Sequence, residues 1–212
     1  MSPYTRKRQK KKATTRRKET HRGGKRQLFS SPSFDHVIAY LQDYTAGQSK
    51  EICGTIAKEK MPQHHPNRQY SKNIYVAYVH EVTPPLGTDE RPHCLYEHVK
   101  DYVIWHNHPA TSKFYPSWED IVKGLKPKNQ HISESYLFSE FGVWKIQYWD
   151  HSGVTTKEIK QLRDILNALY HTSQRGRVYN VITNYYVDQM IMAINDMFPD
   201  RLTIQFLGSP YY

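Results

Sequence analysis

Two histidines one residue apart, His106 and His108, stand at the end of an apolar run, Tyr102-Val103-Ile104-Trp105. Side chains alternate along a strand, so both imidazoles leave the strand end on the same side. Neutral imidazole is the commonest protein ligand for a metal, and Zn²⁺ favours a tetrahedral set of N, O and S donors. After a short loop comes Pro116-Ser117-Trp118-Glu119-Asp120. An acid from the start of that next helix, Asp120, would be a third ligand and leave one position open for water. The chemistry this predicts is that of a zinc hydrolase. Each half has a plainer explanation as well. A His-x-His pair also fits packed or surface imidazoles. Ser117 is a good helix cap, with acids behind it to suit the positive helix end. The combination of strand, short loop and acid-bearing helix is more specific than either half.

The elements that must position these residues are legible in outline. Phe34, Val37, Ile38, Leu41 and Tyr44 mark one face of a helix, capped by Ser33 and ended by Gly47. A strand is expected over Glu51–Ala57, with Ile52, Gly54 and Ile56 on one face and Glu51, Cys53 and Thr55 on the other. Residues 58–72 read as a polar loop, in which His64 and His65 are taken as solvated. Ile74–Val82 alternates as a strand. Cys94–Val99 is a short-helix candidate, and His93, Cys94 and His98 are an incomplete second zinc set. The histidine strand spans 101–108, and a helix runs from Ser117 to about Leu125. Tyr136–Glu140 and Val143–Trp149 form a hairpin through Phe141-Gly142. Thr155-Thr156-Lys157-Glu158 is a capping box, followed by a helix to about residue 171. A further helix over 184–197 and a strand through Leu202, Ile204 and Phe206 complete the chain. Strands in a run between helices predict a three-layer α/β/α domain around a mixed sheet.

With the elements in place, the residues resemble the JAMM/MPN+ (JAB1/MPN/Mov34) zinc metalloproteases. That signature is a distant Glu, then His-x-His-Pro, a spacer, and Ser-x-x-Asp. His106-Asn107-His108-Pro109, seven residues, then Ser117-Trp118-Glu119-Asp120 are similar to it. Glu51-Ile52-Cys53-Gly54 looks like the family's Glu-x-x-Gly strand, and the element order over 34–150 looks like its cytidine-deaminase-like fold. The resemblance implies that His106, His108 and Asp120 bind Zn²⁺, that Glu51 is the general base and that Ser117 hydrogen-bonds the oxyanion. It implies isopeptide or peptide hydrolysis with ubiquitin or a ubiquitin-like protein as substrate, a deubiquitinase-like activity without a covalent intermediate. Glu81, Glu90 and Glu97 also precede His106. Glu51 is preferred because Gly54, three residues on, lets a backbone or a substrate approach closely.

Charge divides the chain. Residues 1–27 hold 12 Lys/Arg and one acid, Glu19, leaving 18 basic and 19 acidic residues in the rest. The chain of 212 residues with net charge +10 is therefore a near-neutral body behind a basic arm. The arm has no hydrophobic periodicity and is expected to be disordered. It suits nucleic acid or another polyanion through phosphate neutralisation, or a nuclear address, or acts as a solubilising tail. The expected organisation is the arm 1–27, a JAB/MPN-like domain 28–150, and helices and a strand over 151–212 that complete or extend it. The cysteines, Cys53 and Cys94, form no disulfide framework. They read as buried or free thiols in a reducing, intracellular compartment, with the nucleus or a virion as destinations the arm would serve. No apolar run reaches the ~18–20 residues of a membrane span, and no secretory signal is expected. A different class of function fits the same division. The body would serve for assembly, as in a structural or packaging (virion-like) protein, while the arm holds nucleic acid.

Overall fold

The computed structural model describes residues 25–61, 73–80, 102–109, 114–175 and 181–208. Its core is one mixed sheet of seven strands: β1 (Lys25–Ser31), β2 (Cys53–Lys60), β3 (Asn73–His80), β4 (Val103–Asn107), β5 (Glu134–Ser139), β6 (Gly142–Tyr148) and β7 (Leu202–Phe206). They lie in the order β1-β3-β2-β4-β5-β6-β7. Every neighbouring pair is antiparallel except β4 and β5, which are parallel. The parallel pair needs a crossover, and α2 (Trp118–Val122) lies in it.

Period-two alternation sends the strands' side chains into two cores. Helix α1 (Phe34–Ala46) covers one face, where Val37 and Leu41 pack with Ile56, Ala77, Trp105, Tyr136 and Phe138. Helices α2, α3 (Thr156–Arg175) and α4 (Val181–Met197) cover the other. There Ile121, Leu162, Leu166, Met190 and Ile194 meet Cys53, Ile104, Leu137, Trp144 and Ile204. The expected helix periodicities over α1, α3 and α4 thus point inward. The Thr155–Glu158 capping box forms, with the Thr155 hydroxyl donating to Glu158 Oε2 at 2.7 Å and accepting from the Glu158 amide at 3.2 Å.

Two expectations change. The basic segment does not run to residue 27, because Lys25, Arg26 and Gln27 belong to β1, which pairs with β3 at the sheet's edge. The sequence reading had no strand before α1. Pairing with β3 recruits a stretch too polar to announce itself, and basic side chains suit an exposed edge. Residues 151–212 contribute β7, which extends the sheet beyond β6, and α3 and α4, which supply much of one core. Cys53, expected as a buried or free thiol, is fully buried, but it is disulfide-bonded. Spacing along a chain does not reveal proximity in space, so lone cysteines gave no sign of it. The case for a reducing compartment loses that support. Cys94, the incomplete set with His93 and His98, the pair His64–His65 and residues 1–24 lie outside the described residues. Among the described residues no helix is long and apolar enough to cross a membrane.

Candidate metal centre

Strand β4 delivers the histidines. Its register pairs His106 with Cys53 and Ile104 with Thr55. Cys53 and Ile104 lie in the core beneath α2, so His106 faces α2 as well. His108 follows two residues on, and its amide donates to the Phe138 carbonyl at 2.8 Å, carrying the parallel pairing with β5 one step past the strand.

Helix α2 delivers the acid. Ser117 is the N-cap, and Asp120 at the third helical position completes a capping box with it. The Asp120 amide donates to the Ser117 hydroxyl oxygen at 3.2 Å, while the Ser117 amide and hydroxyl donate to Asp120 Oδ2 at 2.9 and 2.6 Å. Three anchors fix the helix against the sheet. Ile121, Val122 and Leu125 are fully buried. The Tyr148 hydroxyl donates to the Asp120 main-chain carbonyl at 3.0 Å. Gly124 lies against the Tyr148 ring, where a Cβ would come within 2.3 Å of it. A larger residue at 124 would push apart the contact that lets Tyr148 reach Asp120.

The three side chains converge. His106 Nε2 is 3.2 Å from Asp120 Oδ1, and His108 Nε2 is 3.6 Å from Asp120 Oδ2. One donor atom from each residue lies within 4.8 Å of the others. Two ligands held about 2.0–2.1 Å from a tetrahedral ion are roughly 3.4 Å apart, between the two observed separations. His106 supplies a further test of fit. Its side chain is buried, yet neither ring nitrogen makes a hydrogen bond of acceptable geometry, despite the close Asp120 oxygen. Buried polar atoms are normally satisfied, and an ion shared with Asp120 would satisfy Nε2, the nitrogen that faces Asp120. The group can hold a metal ion. Burial pushes the Asp120 pKa up, but His106, then Lys123 and His108, outweigh it and keep the carboxyl well below its usual range. It is ionised, as a ligand must be.

Glu51 precedes β2. The Asn107 amide's bond to the Ile52 carbonyl at 3.1 Å carries the β2–β4 pairing one step beyond Cys53–His106, to the residue next to Glu51. The charge of Glu51 acts on Lys123, one helical turn after Asp120. Burial pushes the Lys123 pKa down, against Asp120 and Glu51, which favour its charged form. The alternatives Glu81, Glu90 and Glu97 lie outside the described residues. Gly54 does mark a close approach, on the opposite face. A Cβ there would stand 1.7 Å from the Tyr78 carbonyl oxygen and 2.7 Å from the Trp105 ring, whose Nε1 donates to that same carbonyl at 3.1 Å. What comes close is the protein's own interior, not a substrate.

Sequence reading missed Asn107, Lys123 and Tyr148. Asn107 sat in view between the histidines, but its bonds run to main-chain atoms and leave no pattern in residue types. No family model, curated protein or solved structure matches the chain.

Proposed function

We propose that the chain is a zinc-dependent isopeptidase or peptidase of the JAMM/MPN+ kind, acting on ubiquitin or a ubiquitin-like protein. The observation that carries the reading is the convergence of His106, His108 and Asp120, one donor atom from each lying within 4.8 Å of the others. Two imidazoles and a carboxylate suit Zn²⁺ better than the hard cations Mg²⁺ and Ca²⁺. The mixed sheet with helices on both faces is compatible with the cytidine-deaminase-like JAB fold.

Zn²⁺ in such a site lowers the pKa of a coordinated water towards neutrality and polarises an amide carbonyl. The protein's own part is to move protons and hold charge. Glu51 accepts the proton of the attacking water on its carboxylate and returns it to the leaving amine nitrogen. Ser117 holds Asp120 at rest, and its single hydroxyl proton turns to the oxyanion as that charge develops. Lys123 balances the negative charge of Asp120 and Glu51 from the helix side.

A panel of di-ubiquitins and ubiquitin-like fusions tests the assignment. The wild-type protein is expected to cleave at least one of them. Glu51→Gln is expected to lower the rate by about 10²-fold or more, the scale of general base catalysis, with zinc retained. Zinc-loaded protein that cleaves none would favour the second reading. In that reading the body serves assembly and the basic segment within residues 1–27 holds nucleic acid, a role that its 12 Lys/Arg against one acid supports.

A further inference from the structure

At the open end of β2 and β4 the ladder changes character. A hydrogen-bonded antiparallel pair normally exchanges two main-chain bonds. Asn107 and Ile52 make the first, with the Asn107 amide donating to the Ile52 carbonyl at 3.1 Å. A side chain makes the second. The Ile52 amide donates to Oδ1 of Asn107 at 2.7 Å, and Asn107 Nδ2 donates to the Lys50 carbonyl at 3.3 Å. Asn107 thereby grips the main chain on either side of Glu51. It is 1% exposed, so water does not take over either bond.

A carboxamide carries both a donor and an acceptor, and both are used here. Aspartate would keep the acceptor and lose the donor. Alanine would lose both and leave the Ile52 amide without this acceptor. The gripped residue directly precedes Ile52, the last partner of β4 in the ladder, while Asn107 itself sits between His106 and His108. One residue thus ties the strand bearing the histidines to the segment bearing the carboxylate. We propose that Asn107 is a positioning residue that fixes Glu51 over the His106–His108–Asp120 group through the main chain on both of its sides. This rests on the role given to Glu51 above.

The test needs no substrate. Co²⁺ uptake is followed by visible absorption in wild type, Glu51→His, Asn107→Ala and the double variant, with Ile52 amide exchange measured in each. A histidine at 51, if held over the group, becomes a further ligand. Glu51→His should bind Co²⁺ about tenfold or more tightly than wild type, the scale on which a supporting group alters metal affinity. The double variant should lose that gain relative to Asn107→Ala, and Ile52 exchange should quicken. Asn107→Asp, which retains the acceptor, should keep Ile52 protected and recover part of the gain. It also serves if Asn107→Ala fails to fold. A gain that survives undiminished in the double variant overturns the role of Asn107 while leaving the metal site standing. No gain in Glu51→His overturns Asn107 together with Glu51 as base. A wild type that takes up no Co²⁺ overturns the metal reading itself.

Discussion

At the scale of residues, the candidate centre depends on charges that burial would otherwise disfavour. Asp120 is 8% exposed and keeps its negative charge because His106, then Lys123 and His108, outweigh its burial. The consequence for stability has a definite sign. A carboxyl whose folded pKa lies below its unfolded value, about 3.9, contributes stability that is complete above that value and is lost as pH falls. In metal-free protein the difference in melting temperature between wild type and Asp120→Asn should therefore narrow as pH drops from about 4 towards 2. A difference that stays constant over that range would contradict the pairing. The candidate ligands were legible before the fold because histidines and acids at this spacing are chemically distinctive. Asn107 and Tyr148 were not, since a side chain bonded to a distant main-chain atom has no signature in residue order.

Elements position the site by fitting closely to one another. Trp105, on the histidines' own strand, lays its ring against β2 at Gly54, and it fits because residue 54 has no side chain. Gly54→Ala forces a methyl group against the Tyr78 carbonyl and the Trp105 ring. Overpacking of this kind costs typically about 1–3 kcal/mol, and main-chain contact puts this case at the upper end. Urea unfolding should show a lowered midpoint with an unchanged slope, and an unchanged midpoint would contradict the contact. Helices α1, α3 and α4 were readable because their apolar positions recur at helical spacing. Strand β1 was not. Lys25-Arg26-Gln27 reads as a continuation of the basic run, and its place comes from β3, more than forty residues away, with a bulge between Gln27 and Phe29.

For the whole molecule, charge and chemistry occupy different parts of the chain. The residues before β1 carry ten Lys/Arg and one acid, and the remainder carries 20 basic and 19 acidic residues. Removing residues 1–24 should abolish salt-sensitive binding to DNA or RNA, since counterion release scales with the phosphates neutralised. It should leave the melting temperature of the body unchanged, because β1 stays intact. Retained affinity would move nucleic-acid binding onto the body. The α/β class followed from the element order, but the sheet order did not. It requires knowing that β2 lies between β3 and β4, a pairing of distant segments that no local pattern encodes. The central claim, that His106, His108 and Asp120 hold zinc, is tested most directly by elemental analysis of purified protein. About one zinc per chain in the wild type and none in Asp120→Ala is the predicted result. A folded wild type that carries no zinc and takes up none on dialysis would contradict it.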